Sequence, residues 1–228
     1  MGSLFADRRD AGRHLGARLA GWSFRDPIVL ALPRGGVPVG FEVAKLLGAP
    51  LDVFVVRKLG VPGHEELAMG AIASGGVRVL VPETVRAFAL TNVTIDAVTE
   101  IERQELARRE RAYRGERPFP SLTGKTAIVV DDGIATGASM IAAVKAVRAL
   151  NPAKIVAAAP VMSDRARAEV AKVADVCEAA AVPEPFFSVG GWYANFAQTE
   201  DDEVRSLLEA AERTRGAHLL PDGVGEFV

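Results

Sequence analysis

Short apolar runs alternate with stretches of helical periodicity over most of this chain. Pro27 to Leu32 and Leu51 to Val56 are apolar runs of strand length, and between them Phe41, Ala44 and Leu47 recur at helical spacing. The pattern predicts strand, glycine-containing turn, helix, strand. A second series follows, with strands expected at Thr126–Val130, Lys154–Pro160 and Asp175–Val182. Helices are expected between them at Gly137–Leu150, with Met140, Ile141, Val144 and Val147 on one face, and at Asp164–Lys172.

The remaining segments are less regular. Asp7 to Ala20 sets Leu15 and Leu19 among Arg8, Arg9, Arg13 and Arg18, a short surface helix. Arg57 to Gly76 contains Gly60, Pro62, Gly63, Gly70, Gly75 and Gly76 and reads as a long mobile excursion or a weak two-stranded ribbon. Val77 to Val81 is a further strand candidate. Thr91 to Arg114 is highly charged, with a thin stripe of Ile95, Val98 and Ile101, so a solvent-facing helix is expected. Thr199 to Glu203 places acids where a helix dipole favours them, ahead of Val204, Leu207, Leu208 and Ala211.

Apolar strands alternating with helices predict an α/β fold, a mostly parallel sheet covered on both faces. Ligands of such sheets bind beyond the carboxyl ends of the strands. Three segments there carry chemistry: Arg34 to Gly36, Asp131 to Ser139, and the Arg57–Gly76 excursion.

Bulk properties narrow the function. The 228 residues are 49% apolar, enough for a sizeable core in a single domain. Lysine and arginine (27) nearly balance aspartate and glutamate (29), which argues against a generally basic nucleic-acid binder. Cys177 is the one cysteine, so no internal disulfide framework exists, and a reducing cytoplasm is the expected home. No apolar run reaches membrane-spanning length, and the charged N-terminus is not a secretory signal, so a soluble protein is expected. His14 and His218 have no neighbours suggesting a metal cluster.

The sharpest signal is Ile128 to Ser139. A buried strand delivers Asp131 and Asp132 side by side at its carboxyl end, which is costly unless hydroxyl donors or a cation compensate. Gly133, Ile134, Ala135, Thr136, Gly137, Ala138 and Ser139 then run into a helix. Such a loop can aim successive backbone N–H groups at an anion, with the helix dipole adding to the attraction. Alone, Asp-Asp-Gly is more often a tight turn than a site; with an apolar strand before it and Thr-Gly-Ala-Ser after it, it describes a ribose 5-phosphate site. Gly124-Lys-Thr is not a nucleotide P-loop, because Phe119 stands where that motif needs glycine.

This segment resembles the motif that binds 5-phosphoribosyl-1-pyrophosphate (PRPP) in type I phosphoribosyltransferases. The order of elements extends the resemblance over roughly residues 25–190. The resemblance implies that Asp131 and Asp132 hold the ribose 2- and 3-hydroxyls, touching Mg2+ only through those hydroxyls or water. Gly133 to Ser139 would cradle the 5-phosphate. The Arg34-Gly35-Gly36 turn would bind pyrophosphate, in the family often through an unusual cis peptide. Arg57 and Lys58 would help pyrophosphate leave, beneath a loop that closes over the substrate, and Glu65 on that loop is a candidate general base. Ala135 stands where 6-oxopurine enzymes carry an aspartate, which makes hypoxanthine or guanine the less expected base. A hood formed by residues 1–24 and 183–214 would cover the core (about 25–182), leaving a loose tail at 215–228. Within it Phe186, Phe187, Trp192 and Tyr193 could stack on a base or simply pack against the body. The expected activity is Mg2+-dependent transfer from PRPP to a nitrogen nucleophile, with a nucleobase as the expected class, by a homodimer. The rivals are a PRPP or nucleotide sensor without turnover, and a hydrolase acting on a phosphorylated ribose.

Overall fold

The fold is that of a computed structural model, described over residues 2–218. A five-stranded parallel sheet is built from β1 (Pro27–Ala31), β2 (Leu51–Val53), β6 (Thr126–Val130), β7 (Lys154–Val161) and β8 (Val176–Ala181), in the order β2-β1-β6-β7-β8. Its strands read as apolar runs because both faces are covered. Ile28, Leu30, Ala127, Val129, Ile155 and Ala157 point into one core, which includes Met140, Ala143, Val144 and Val147 of α5 (Ala138–Arg148). The alternate residues Val29, Ala31, Ile128, Val130, Val156 and Ala158 point into the other. That second core includes α2 (Gly36–Leu47) and Val204, Leu207 and Leu208 of α7 (Asp201–His218).

From β1 the chain steps to β2 on one side; from β6 it steps to β7 and β8 on the other. The order therefore reverses between β1 and β6, and crevices for ligands open at such switch points. The segment between β2 and α4 (Asn92–Arg114) departs from expectation. Instead of a mobile excursion it forms a second sheet of three antiparallel strands, β3 (Val56–Val61), β4 (His64–Ala73) and β5 (Val77–Leu80), followed by a short helix, α3 (Pro82–Ala87). Gly63, Gly75 and Gly76 do mark the turns between its strands, whereas Gly60 and Gly70 lie within strands at points of close approach. A Cβ on Gly70 would come within 2.4 Å of the Val79 carbonyl oxygen, and the pairing shifts register around Gly60. Leu59, Met69 and Ile72 anchor this sheet in the core.

Helix α4 occupies its expected range, but its buried face differs. Ile95 is buried and Val98 half-buried, whereas Ile101 is 68% exposed; the face is completed by Thr99, Leu106, Tyr113 and Arg114. Helix α1 (Arg8–Leu19) packs on α2 where Gly12 and Gly16 let the axes approach: a Cβ on Gly12 would meet the Val39 carbonyl oxygen at 2.8 Å. Helix α6 (Asp164–Val170) completes the layer beside α5. Helix α7 extends to His218, into the range expected to be a loose tail, and the rest of that tail lies outside the described residues. No described helix is long and apolar enough to cross a membrane.

Candidate functional site

The site is assembled where the carboxyl ends of β1 and β6 lie side by side, since Ala31 and Val130 are paired in register. Beyond β1 the chain turns through Pro33, Arg34, Gly35 and Gly36 into α2, with a cis peptide between Pro33 and Arg34. Beyond β6 stand Asp131 and Asp132. The two turns touch, and the glycines make that contact possible. A Cβ on Gly35 would fall 2.0 Å from Asp132 Oδ2, and one on Gly36 would fall 2.7 Å from the Val130 carbonyl oxygen.

The acidic pair is held closely. Asp132 N–H donates to Asp131 Oδ1 (2.9 Å), and Arg8 Nε donates to Asp132 Oδ2 (2.8 Å) from the first turn of α1. The Tyr193 hydroxyl donates to the Asp132 carbonyl oxygen. Burial, and secondarily the charge of Asp132, pushes the Asp131 carboxyl well above the usual carboxylate range. Burial also raises Asp132, but there Arg8 opposes the shift through a hydrogen bond and its charge. Two adjacent carboxyls that cost free energy to ionise mark a candidate site for a ligand that brings donors.

The loop from Gly133 to Ser139 is anchored below and open above. Ile134 is buried; its N–H donates to the Val161 carbonyl, and its own carbonyl accepts from Ser163 N–H. Ser163 Oγ donates to the Ala135 carbonyl (2.7 Å) while accepting from Ala166 N–H as the N-cap of α6. Gly133 lies against Val189, where an added Cβ would come within 2.3 Å of the valine side chain. Ala135, Thr136, Ala138 and Ser139 are exposed, and Gly137, at φ 86°, turns the chain into α5. The first N–H groups of α5 thus face outward with the positive end of the helix dipole, the arrangement that suits a phosphate.

The other predicted residues are distributed less compactly. Arg34 reaches Glu200 and Asp201 at the start of α7, at 3.5 and 3.8 Å. Arg57 is bound to Glu102 of α4 (2.6 Å), and Lys58 donates to the Glu66 carbonyl (3.2 Å). Lys58 also lines a cleft of about 360 Å³ between the antiparallel sheet and α5, shared with Ser139, Ile141 and Lys145. Glu65 lies at the β3–β4 hairpin, exposed, with its carboxylate accepting from Gly63 N–H; no hydrogen bond or ion pair among the described residues links it to the acidic pair. Of the four aromatics, Phe187 is 83% exposed, whereas Trp192 and Tyr193 are buried with Phe5, Ala11 and Val161, and Phe186 packs against that cluster. The buried rings therefore offer packing surface in this state, and Tyr193 contributes its hydroxyl.

Nothing in the sequence singles out Arg8, Ser163, Val189, Glu102 or Glu200 as neighbours of these groups. Arg8 is one of four arginines on an amphipathic helix, and its spacing does not mark which one turns inward. Ser163 carries an N-cap signal only.

A family model described as "Phosphoribosyl transferase domain" matches residues 10–189. Two proteins of Mycobacterium tuberculosis, from strains CDC 1551 and H37Rv and both carrying the name "Putative phosphoribosyl transferase", are each 52% identical over 210 residues. The match spans 92% of this chain and 47% of each relative, so the chain covers about half the length of the curated relatives it matches. The crystal structure of TT1426 from Thermus thermophilus superposes with a TM-score of 0.82 at 41% identity, covering 90% of this chain and 97% of that one. By its sequence and its fold, this chain belongs to the phosphoribosyl transferase domain family.

Proposed function

We propose that this chain binds PRPP together with Mg2+ and transfers the 5-phosphoribosyl group to a nitrogen nucleophile, with a nucleobase the class favoured. The observation that carries the reading is the meeting of three features at one switch point. These are the acidic pair, the glycine turn pressed against it, and the open N-terminus of α5. The ribose 2- and 3-hydroxyls donate to Asp131 and Asp132. The 5-phosphate lies in the Gly133–Ser139 loop on the N–H groups and the Thr136 and Ser139 hydroxyls, and pyrophosphate lies along Arg34, Gly35 and Gly36.

In the reaction the bond from C1 to the pyrophosphate oxygen breaks, its electron pair leaving with pyrophosphate, while the nucleophile's nitrogen forms the new bond and later gives up a proton. Charge accumulates on the departing group, so cations fixed beforehand lower the barrier. Arg34, Arg57 and Lys58 are assigned that work, with Arg57 held ready by Glu102. Glu65 serves as proton acceptor only if the β3–β4 hairpin folds over the site. Phe187 presents an exposed face for stacking a base, while Phe186, Trp192 and Tyr193 form the wall behind it.

The donor set fits Mg2+ arriving on the substrate. Among the described residues no cluster of three or more His, Cys, Asp or Glu side chains could hold a metal by itself, whereas Asp131 and Asp132 can support an ion through ribose hydroxyls or water. Bound there, Mg2+ would neutralise pyrophosphate charge. Cytoplasmic location and a homodimer belong to the same reading, and sedimentation of a monomer at assay concentration would remove the dimer. The direct test is pyrophosphate release from PRPP and Mg2+ across a panel of purine and pyrimidine bases. Base-dependent release supports the transferase, and PRPP binding without release for any base would leave a sensor in its place.

A further inference from the structure

Arg8 stands in an unusual place for a helical arginine. It is the first residue of α1, where the helix dipole disfavours a cation, so the stability of α1 does not account for it. Its guanidinium is instead drawn inward and engaged on several sides. Nε donates to Asp132 Oδ2 at 2.8 Å, Nη1 donates to the Ala197 carbonyl, and the group lies 3.9 Å from the centre of the Phe196 ring. Its side chain is only 11% exposed and that of Asp132 15%. The glycine turn leaves room for it, since a Cβ on Gly35 would approach Arg8 Nε at 3.3 Å as well as striking Asp132. Meanwhile Asp132 Oδ1 accepts no hydrogen bond among the described residues.

We propose that Arg8 is a positioning residue of the PRPP site: by holding Oδ2 of Asp132 it turns Oδ1 toward the ribose hydroxyls. This rests on the reading of Asp131 and Asp132 as the ribose ligands. The charged and titratable groups around Asp132 are few. Asp131 adjoins it on the β6 end, Arg8 meets it from α1, and the Tyr193 hydroxyl holds its main chain. Arg34 in the facing turn is occupied by Glu200 and by Asp201, the first residue of α7. Arg8 is thus the one cation among the described residues in contact with the acidic pair. Without it, no side-chain donor among the described residues fixes the Asp132 carboxylate in that orientation. Arg8 also opposes, through its hydrogen bond and its charge, the rise that burial imposes on Asp132.

The experiment compares the wild-type protein with Arg8→Met, which keeps the apolar stem over Phe196, and Arg8→Lys, which keeps the charge. The first readout is PRPP affinity with Mg2+: a loss of about tenfold is expected for Arg8→Met, with recovery toward the wild-type value in Arg8→Lys. The second is affinity for inorganic phosphate, which needs the Gly133–Ser139 loop and not the ribose ligands, and which is expected to be equal in all three proteins; a merely structural role would weaken both ligands together. Equal PRPP affinity in wild type and Arg8→Met, or a parallel loss of phosphate affinity, overturns the role of Arg8 alone. Absence of PRPP binding to the wild-type protein overturns the ribose reading and the orientation role with it.

Discussion

Replacing Asp131 by asparagine should make the protein more stable and less able to bind. This carboxyl is pushed well above 3.8 by burial and by the neighbouring Asp132. A raised folded pKa means the native state holds its proton more tightly than the unfolded chain does. The stability it confers is therefore present below 3.8 and is lost as pH rises through the window up to the raised value. At neutral pH the native protein carries that loss. Asparagine is nearly the same shape, its Oδ1 can still accept from Asp132 N–H, and its neutral amide removes the pH-dependent cost. The gain should be on the order of 1–3 kcal/mol, the range in which buried, imperfectly compensated polar groups fall. In a domain of this size that raises Tm by about 2–4 °C per kcal/mol. If the proposed ribose role holds, the same change removes a charge-assisted acceptor for a hydroxyl, with an expected loss of about 1.5–3 kcal/mol, or ~10–100-fold in PRPP affinity. Thermal denaturation from pH 4 to pH 8 tests the first half: the stabilisation should be near zero at the acid end and grow with pH. A variant no more stable at pH 8 than at pH 4, relative to wild type, would refute this role for the Asp131 carboxyl.

Other sites give sharper structural outcomes. Gly35→Ala inserts a methyl group onto the Asp132 carboxylate, so a loss of about 1–3 kcal/mol in urea unfolding is expected, along with loss of PRPP binding; normal binding would contradict the close contact of the two turns. Ser163→Ala removes both the N-cap of α6 and the support of the Ala135 carbonyl, costing about 1–2 kcal/mol and weakening phosphate affinity, as titration with ribose 5-phosphate would show. Away from the site, Arg114 donates to Asp52 and to the Val53 carbonyl, and burial raises Asp52 while Arg114 opposes the rise. Arg114→Leu should therefore cost about 3–5 kcal/mol, and adding Asp52→Asn should recover a large part of it; additive losses in the double-mutant cycle would contradict the pairing.

What could be read from sequence divides along physical lines. The parallel core was legible because each strand is buried on both faces and so appears as an unbroken apolar run, with helices of clear periodicity between. The Asp131–Ser139 segment was legible because an acidic pair, glycines and hydroxyls are local in sequence. Of the second sheet, β5 was legible as the expected strand at Val77–Val81, whereas β3 and β4 were not, because they carry Gly60 and Gly70 where backbones approach closely, and a glycine at a close approach is indistinguishable in sequence from one in a loop. The face of α4 departs from expectation at Ile101 because its buried side takes Thr99, Tyr113 and an ion-paired Arg114. The partners of the acidic pair were hidden for a third reason. Arg8 lies 124 residues from Asp132 and Tyr193 lies 61 away, and only the three-dimensional path of α1 and of the segment after β8 brings them together. The aromatic quartet shows the same limit: composition marks it as a candidate surface, but only packing separates exposed Phe187 from buried Trp192 and Tyr193.

Calorimetric titration of PRPP into the protein, with and without Mg2+, tests the central claim most directly when paired with the Asp131→Asn/Asp132→Asn double mutant. Binding is expected to strengthen with Mg2+ and to disappear in the double mutant while the fold persists. Equal binding by both proteins, or no binding by folded wild type under either condition, would contradict the claim.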